Sequence, residues 1–461
     1  MGRARVVIGS LAAVALLGAA GYAAADAGDL VPGVLTRPEP IPSGLAPLPS
    51  ASPSVTPSPG AAPSAAGVAA SVDAIISDPA LGPGAGAVVR DVASGEVLYA
   101  READRPRTIA SAQKILSALA ITDVLDADVT MDTRAVAGGP GEVVLVAAGD
   151  TLLGTGAGDP ASVVGRAGLG DLAAQVAKAA PQGPLTVRLD LSYAAGPRVP
   201  GSWNPADVSA GYSRGVSMIG LAQNRPSHGI VPRQEKDTDS LDAFVAAIVA
   251  AGRQATAVPT GAAPAAGAVE YGRVSSAPIG DVLGHAMEES DNAIMENLSR
   301  QAIVASGGQV PVDGTTGAFV LAGLARAGVP TEGATITDSA GLAPGQRVPL
   351  ATVDRVLALG LAKEHPGLRR VLSELPVSGL TGTLAGRFAA PDASPVAGLP
   401  RAKTGTLRHV SALAGLTTDA DGRLLSFVAV ADQVPDSYEG TLGARATLDR
   451  FAAALTRCGC R

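Results

Sequence analysis

Three short motifs follow one another along the chain, and a site that uses all three requires a fold that brings distant segments together. A Ser-x-x-Lys motif occupies residues 111–114, a Ser-x-Asn motif residues 290–292, and a Lys-Thr-Gly-Thr motif residues 403–406. Each motif alone occurs by chance, but the three in this order are typical of acyl-transfer sites that use serine and lysine. The sequence therefore predicts an enzyme whose three motifs meet in one cleft.

The use of lysine supports this interpretation. The chain has five lysines and thirty arginines, yet Lys114 and Lys403 both stand in the motifs. Arginine stays protonated in proteins, whereas lysine can accept a proton when burial or a neighbouring cation lowers its pKa. A chain that otherwise prefers arginine has lysine where base chemistry would need it.

The first two motifs supply the groups for a two-step acyl transfer. We expect Ser111 to be the nucleophile and neutral Lys114 to accept its proton, with a nearby Lys403 lowering the pKa of Lys114. We expect Ser290 to relay the proton to the leaving amine, and Asn292 to hold the substrate amide or Lys114.

The third motif is expected to bind substrate. Lys403 and Thr404 would present a positive charge and a hydroxyl to a substrate carboxylate, and Gly405 would let the backbone approach closely. The N–H groups of Ser111 and Thr406 are the expected oxyanion hole, a device in which loss of one donor typically costs about 10²–10³ in rate.

Other classes of site find little support in the sequence. A net charge of −7 and a pI near 5.2 argue against a nucleic-acid partner. Four histidines without paired spacing and two cysteines, Cys458 and Cys460, do not make a metal site, so we predict no metal. Residues 211–215 match the pattern Gly-x-Ser-x-Gly, but they are not expected to form a nucleophile elbow, and no complete Gly-x-Gly-x-x-Gly nucleotide fingerprint is present.

The N-terminus carries an export signal. Arg3 and Arg5 precede an uncharged, mostly apolar run over residues 6–25, which ends in small residues suited to cleavage. At ~1.5 Å per residue the run is also about long enough to span a bilayer, so a cleaved signal peptide and a membrane anchor both remain open. Either one places the remaining chain outside the cytoplasm, on the cell-wall side, secreted or anchored to the plasma membrane.

Composition and patterning divide the chain into segments. Ten of the 35 prolines lie between residues 32 and 63, which is typical of an extended spacer. Short apolar runs alternating with Gly/Pro punctuation after residue 131 indicate an insertion between the first and second motifs. The predicted segments are a signal peptide or anchor (1–30), a linker (31–68), a first catalytic part (69–130), an inserted accessory domain (131–269) and a second catalytic part (270–461).

Local patterns place the motifs on secondary structure. A helix from Ser111 would put Lys114 one turn further on, on the same face. The second motif interrupts a mostly helical stretch over residues 279–306. The third motif begins a strand that is predicted to continue toward Leu413. Further predicted elements are a hairpin over 86–100, a return strand over 424–431 and a terminal helix over 444–455.

These residues resemble the class C low-molecular-mass penicillin-binding proteins, the serine D-alanyl-D-alanine carboxypeptidase/endopeptidase family. The resemblance covers about residues 72–455. Two departures stand out: Ile109 replaces a proline, and Ala340 replaces the serine of an Asp-x-Ser-Gly-Leu motif, which argues against a polar side-chain role there. Beyond the three motifs, the likeness lies in Gly-Asp-Thr-Leu at 149–152, the segment 190–203 ending at Trp203, Gly-Thr-Leu at 382–384, and Arg387-Phe388.

The resemblance implies an α+β fold: a penicillin-binding, transpeptidase-like (serine β-lactamase-like) domain with a central antiparallel sheet and helices, interrupted by the inserted accessory domain. It implies a D-alanyl-D-alanine carboxypeptidase that acts on peptidoglycan stem peptides through a serine acyl-enzyme, with endopeptidase action left open. It also implies β-lactam antibiotics as inhibitors, and no cofactor.

Two alternative functions, a β-lactamase and a non-catalytic scaffold, are less consistent with the sequence. A β-lactamase shares the three motifs, but it would need a deacylation base such as the glutamate of a Glu-x-x-Leu-Asn after the second motif, and the sequence has none there. A non-catalytic scaffold that binds the cell wall would have no use for intact Ser111, Lys114 and Lys403.

Overall fold

The structure is a computed structural model that describes residues 62–224, 234–259, 261 and 263–460. The predicted signal peptide or anchor, and most of the predicted linker, lie outside the described residues. The end of that linker enters helix α1 (Ala65–Ile76). Among the helices of the described residues, none combines the length and the apolar character needed to cross a membrane.

A five-stranded antiparallel sheet forms the centre of the part that carries the motifs, which confirms the predicted α+β architecture. The strand order is β2-β1-β10-β9-β8, and every neighbouring pair is antiparallel. Two of its strands form the predicted hairpin over residues 86–100. The strands are β1 (Ala85–Asp91), β2 (Val97–Arg101), β8 (Arg401–Leu407), β9 (Val410–Thr418) and β10 (Leu424–Ala431).

Both faces of this sheet are covered because successive side chains of a strand point to opposite sides. Val89 joins a core with Phe427 and with Phe451 of helix α11 (Tyr438–Arg457), whereas Val88 joins a core on the other face. That second core contains Leu116 of helix α2 (Lys114–Thr122). The central sheet therefore holds the first motif against one face and the terminal helix against the other.

A second sheet lies between the first and second motifs. Its order is β6-β5-β4-β3-β7, in which β4, β5 and β6 are parallel and β3 pairs antiparallel with β4 and β7. Its strands are β3 (Thr130–Ala137), β4 (Glu142–Val146), β5 (Leu185–Asp190), β6 (Ala255–Val258) and β7 (Glu270–Pro278). The predicted boundary at residue 269 falls immediately before β7, which is a strand of this second sheet.

Helices α3 (Leu169–Ala179) and α5 (Asp237–Ala250) pack on the second sheet and give it a separate core with Val187, Leu172 and Phe244. Parallel strands need such crossover helices because a short turn cannot return the chain to the same end of the sheet. The remaining helices are α4 (Pro205–Ser209), α6 (Ile279–Glu288), α7 (Asn292–Ala305), α8 (Gly317–Arg326), α9 (Leu350–Leu361) and α10 (Pro366–Ser373).

Of two predicted local features, the helix interruption at the second motif is present and the long strand after the third motif is not. The predicted interruption at the second motif is confirmed, because Ser290 has a left-handed φ of 59° between α6 and α7 and Asp291 caps α7 by accepting from Ile294 N at 2.9 Å. The predicted strand from the third motif toward Leu413 is wrong as one continuous strand. The chain turns between β8 and β9 through two residues, the second of which is His409 with a φ of 63°.

The two cysteines form a disulfide at the end of α11. Cys458 and Cys460 are both buried, and Ser71 of α1 places its hydroxyl 3.4 and 3.3 Å from their sulfurs. The backbone N–H of Ser64 also donates to the Cys460 carbonyl oxygen at 2.5 Å. The C-terminal tail therefore fastens the start of α1 to the end of α11, away from the three motifs.

Candidate active site

The first motif lies in a tight 3₁₀ turn, Ala110–Gln113, that runs into α2. Ala110 has a φ of 49°, in the left-handed region, so the chain turns sharply just before Ser111. Lys114 Nζ donates to Ser111 Oγ at 2.9 Å. Ser111 is half-buried, whereas Lys114 is fully buried. The predicted spacing of one turn thus brings the amine onto the hydroxyl, although the turn is 3₁₀ rather than α-helical.

Two further acceptors surround the Lys114 amine. Asn292 Oδ1, on the first residue of α7, accepts from Lys114 Nζ at 2.5 Å, and the Ala340 carbonyl oxygen accepts at 2.7 Å. Asn292 Nδ2 in turn donates to the Tyr212 carbonyl oxygen at 2.7 Å, which sets the orientation of its amide. The first and second motifs therefore meet through Lys114.

Burial is the main cause of a shift in the pKa of both motif lysines. It lowers the pKa of Lys114 to about 8, against an opposing effect of nearby carboxylates, the largest from Asp338. Burial, followed by repulsion from Lys114, holds the pKa of Lys403 well below its usual range. The sequence predicted that Lys403 would lower the pKa of Lys114; burial is instead the cause that lowers it, and the repulsion between the two lysines acts on the pKa of Lys403.

The third motif occupies β8, an edge strand of the central sheet. Ala402 N donates across the free edge to the Pro376 carbonyl oxygen at 3.0 Å. Because alternate residues of an antiparallel strand direct their N–H groups to the same side, those of Thr404 and Thr406 also face this edge. Backbone donors of the third motif are therefore left for a ligand rather than for β9.

Gly405 brings this strand against the turn that carries Ser111. A Cβ atom at Gly405 would lie 2.6 Å from the Ile109 carbonyl oxygen and 3.2 Å from Ala110 Cβ. Any larger side chain would push β8 away from the first motif. The close approach expected of Gly405 is thus an approach to the protein's own nucleophile turn.

The remaining predicted residues lie around these contacts. Ser290 is half-buried next to Asn292 and lines a small cavity of about 100 Å³ with Tyr212 and Glu289. The Thr404 hydroxyl donates to Thr383 Oγ1 at 2.8 Å. The structure therefore links Ser111, Lys114 and Asn292 by direct hydrogen bonds and places the other motif residues beside them.

Glu296 is a buried residue of the site that sequence reasoning missed. Its Oε1 accepts from Ser339 N at 2.6 Å and Ala340 N at 3.0 Å, and its Oε2 accepts from Thr316 Oγ1 at 2.6 Å. Burial raises the pKa of Glu296 to about 8. Glu296 thereby holds the peptide whose carbonyl oxygen contacts Lys114. Glu296 lies one helical turn after Asn292 along α7, and this spacing, which puts both residues on one face of the helix, could have identified it from the sequence.

Asp338 supports the same segment from the other end. Its carboxylate accepts from three successive backbone N–H groups at 2.7–3.0 Å, from Gly341 to Ala343, and from Trp203 Nε1 at 2.9 Å. The resemblance to Asp-x-Ser-Gly-Leu predicts a serine hydroxyl at position 340, which Ala340 lacks. The backbone carbonyl of Ala340 instead makes the contact with Lys114, and alanine supplies it as well as serine would.

Known proteins share much of this sequence. The sequence profile of the D-Ala-D-Ala carboxypeptidase 3 (S13) family matches residues 68–266 and 221–455. A carboxypeptidase of Mycobacterium tuberculosis is 36% identical over 392 residues, which cover 84% of this chain and 83% of that protein. The carboxypeptidase DacB of Mycolicibacterium smegmatis is 34% identical over 391 residues, with coverage of 84% and 83%.

A solved structure shows the same fold. Penicillin-binding protein 4 (dacB) of Haemophilus influenzae superimposes with a TM-score of 0.64 at 18% sequence identity. The superposition covers 85% of this chain and 98% of that one, so it extends over both sheets rather than over the central sheet alone.

Proposed function

The chain belongs to the D-Ala-D-Ala carboxypeptidase 3 (S13) family, and we propose that it removes the terminal D-alanine of peptidoglycan stem peptides through an acyl-enzyme on Ser111. The observation that carries this proposal is the 2.9 Å contact between Ser111 Oγ and the fully buried amine of Lys114. Lysine with a pKa near 8 is neutral in a useful fraction of molecules at neutral pH, which a general base requires.

The acceptors around Lys114 orient its lone pair. Asn292 Oδ1 and the Ala340 carbonyl oxygen can only accept hydrogen bonds, so they take the two N–H groups of the neutral amine. The lone pair then points at the third neighbour, the Ser111 hydroxyl. This arrangement supports proton transfer from serine to lysine as Ser111 Oγ attacks the carbonyl carbon.

We assign the remaining steps to the other motif residues. The N–H groups of Ser111 and Thr406 would stabilise the oxyanion, and Lys403 would attract the terminal carboxylate. Ser290 would pass the proton held by Lys114 to the nitrogen of the departing D-alanine. Water, deprotonated by Lys114, would then cleave the ester and release the shortened peptide. A β-lactam would acylate Ser111 in the same way.

The experiment that tests the proposal is release of D-alanine from a stem pentapeptide, together with time-resolved labelling by a fluorescent penicillin. Wild type should release D-alanine and retain the label, and Ser111→Ala should do neither while remaining folded. Rapid turnover of the penicillin without D-alanine release would indicate a β-lactamase. If folded wild type shows neither reaction, the remaining interpretation is a non-catalytic scaffold that binds the cell wall.

The proposed substrate lies outside the cytoplasm, in agreement with the export signal predicted over residues 1–30. We further propose that the second sheet and its helices are an accessory domain inserted into the catalytic domain, near the predicted bounds 131–269. N-terminal sequencing of the mature protein, with membrane fractionation, would distinguish a cleaved signal peptide from a membrane anchor.

A further inference from the structure

An arginine of the terminal helix reaches the third motif from behind. Arg445 Nη2, on α11, donates to Thr406 Oγ1 at 3.3 Å. The side chain is half-buried, and its Nε atom has no hydrogen-bond partner among the residues that the structure describes. Burial, and next the charge of Arg387, lowers the pKa of Arg445. A guanidinium in such surroundings is expected to have a carboxylate partner.

The carboxylate nearest along the helix is already occupied. Asp449 lies one turn beyond Arg445, at the spacing of an ordinary helix ion pair. Arg387 instead holds Asp449 through Nη2 at 2.6 Å and Nε at 2.9 Å, and Phe388 N donates to it at 3.1 Å. Within the described residues, no carboxylate lies within ion-pair distance of the Arg445 guanidinium. Arg387 thus takes the acid that lies near both arginines, and Arg445 contributes an excess positive charge beside Thr406.

The contact with Arg445 also sets the hydrogen-bonding role of the Thr406 hydroxyl. The hydroxyl accepts from Arg445, so its own proton remains available for an acceptor outside the protein. Thr404 differs in this respect, because its hydroxyl donates to Thr383 Oγ1. Thr406 is therefore the hydroxyl of the third motif best prepared to donate to a ligand.

We infer that Arg445 is a positioning residue that prepares Thr406 to donate to the terminal carboxylate of the substrate, and that it sets the preference for substrates with a free carboxylate. A guanidinium and a hydroxyl donor in contact match an anionic oxygen acceptor. The inference rests on the proposed function. It assigns to the terminal helix, which carries none of the three motifs, a part in substrate selection.

The test compares two probes that differ only in that carboxylate. Second-order rates of acylation by benzylpenicillin and by its methyl ester are measured for wild type and Arg445→Gln. Loss of a hydrogen bond to a charged group should slow benzylpenicillin about 10–100-fold. The rate with the methyl ester should change less than about twofold, since the ester lacks the charge that Arg445 and Thr406 would recognise.

Arg450→Gln is the matched control, because Arg450 lies on the same helix and pairs with Asp78 at 2.7 Å. It should change neither rate. Arg445→Lys, which keeps the charge, should restore part of the preference for benzylpenicillin. An equal loss with both probes, or no loss with either, would overturn the inference while leaving the proposed function intact. Failure of wild type to react with benzylpenicillin would overturn both.

Discussion

Lys114 and Lys403 are both fully buried, and the surroundings of their amines differ. The Lys114 amine is enclosed by three oxygens, those of Ser111, Asn292 and Ala340, at 2.5–2.9 Å. Lys403 Nζ donates to the Thr404 carbonyl oxygen at 3.1 Å, and burial, followed by repulsion from Lys114, disfavours its charge. The same side chain is thus held as an oriented base in one position and, in the other, as an amine whose charged form needs a bound anion.

Burial alone therefore does not assign a lysine its role. Burial lowers the pKa of both amines, but only around Lys114 do fixed acceptors determine where the lone pair points. At Lys403 a bound carboxylate would favour the protonated form and offset the repulsion. A substitution that keeps the positive charge of the side chain but removes its ability to act as an oriented base should therefore have different effects at the two positions.

The largest effect is expected for Lys114→Arg. Arginine keeps the positive charge but cannot be deprotonated in a protein, so general-base catalysis is lost. We expect kcat/KM for D-alanine release, and the rate of penicillin acylation, to fall by about 10²–10⁴. The control is Lys178→Arg, on the exposed surface of α3, which should leave both rates unchanged. An active Lys114→Arg enzyme would mean that another group is the base.

A smaller loss and a shift in pH dependence are expected for Lys403→Met. In wild type, kcat/KM should rise as the pH increases through about 8, because the neutral form of Lys114 is the active one. Repulsion between two ammonium groups is mutual, so removing Lys403 should raise the pKa of Lys114 and move this inflection to higher pH. The maximal rate should fall about 10–100-fold through loss of a charged contact to the carboxylate.

The pH profile of Lys178→Met provides the comparison for that experiment, because it removes a lysine that lies far from the motifs in the second sheet's helix α3. Its inflection should coincide with that of wild type. If Lys403→Met lowers the rate and leaves the inflection in place, the two lysines act independently, and burial and the nearby carboxylates set the pKa of Lys114 without Lys403.

The smallest kinetic effect is expected for Glu296, which acts on Lys114 through Ala340. Glu296→Ala leaves the N–H groups of Ser339 and Ala340 without their acceptor, at about 1–3 kcal/mol of unfolding free energy each, and should lower kcat about tenfold. Because its pKa is raised to about 8, Glu296 is largely protonated at neutral pH, and Glu296→Gln should stay close to wild type.

Denaturant unfolding as a function of pH checks the same residue. The unfolded glutamate loses its proton near its ordinary pKa of 4.5, whereas the folded one keeps it up to about 8. Stability should therefore fall as the pH rises between those values, because the folded state binds more protons. Glu296→Gln should remove this part of the slope. An unchanged slope would show that Glu296 is ionised in the folded protein.

Much of the fold and of the first motif could be predicted from local patterns. The spacing of Ser111 and Lys114 brings them together in any helical turn, whether 3₁₀ or α. The hairpin at residues 86–100 and the helix break at Ser290 also follow from nearby residues. The turn at His409 could not be predicted, because a two-residue hairpin turn usually shows glycine or asparagine and here shows neither.

Residue type and order are enough to identify the segments that carry the chemistry, through Ser111, Lys114, Asn292 and Lys403. How these residues are supported depends on contacts that form only in the folded chain. Ala340 contributes a backbone carbonyl that any residue has, so its role leaves no mark on the sequence. Among the described residues Arg445 has no acid partner, and Arg387 takes the nearby Asp449. Orientation and charge depend on distances between residues far apart in the chain, and folding alone sets those distances.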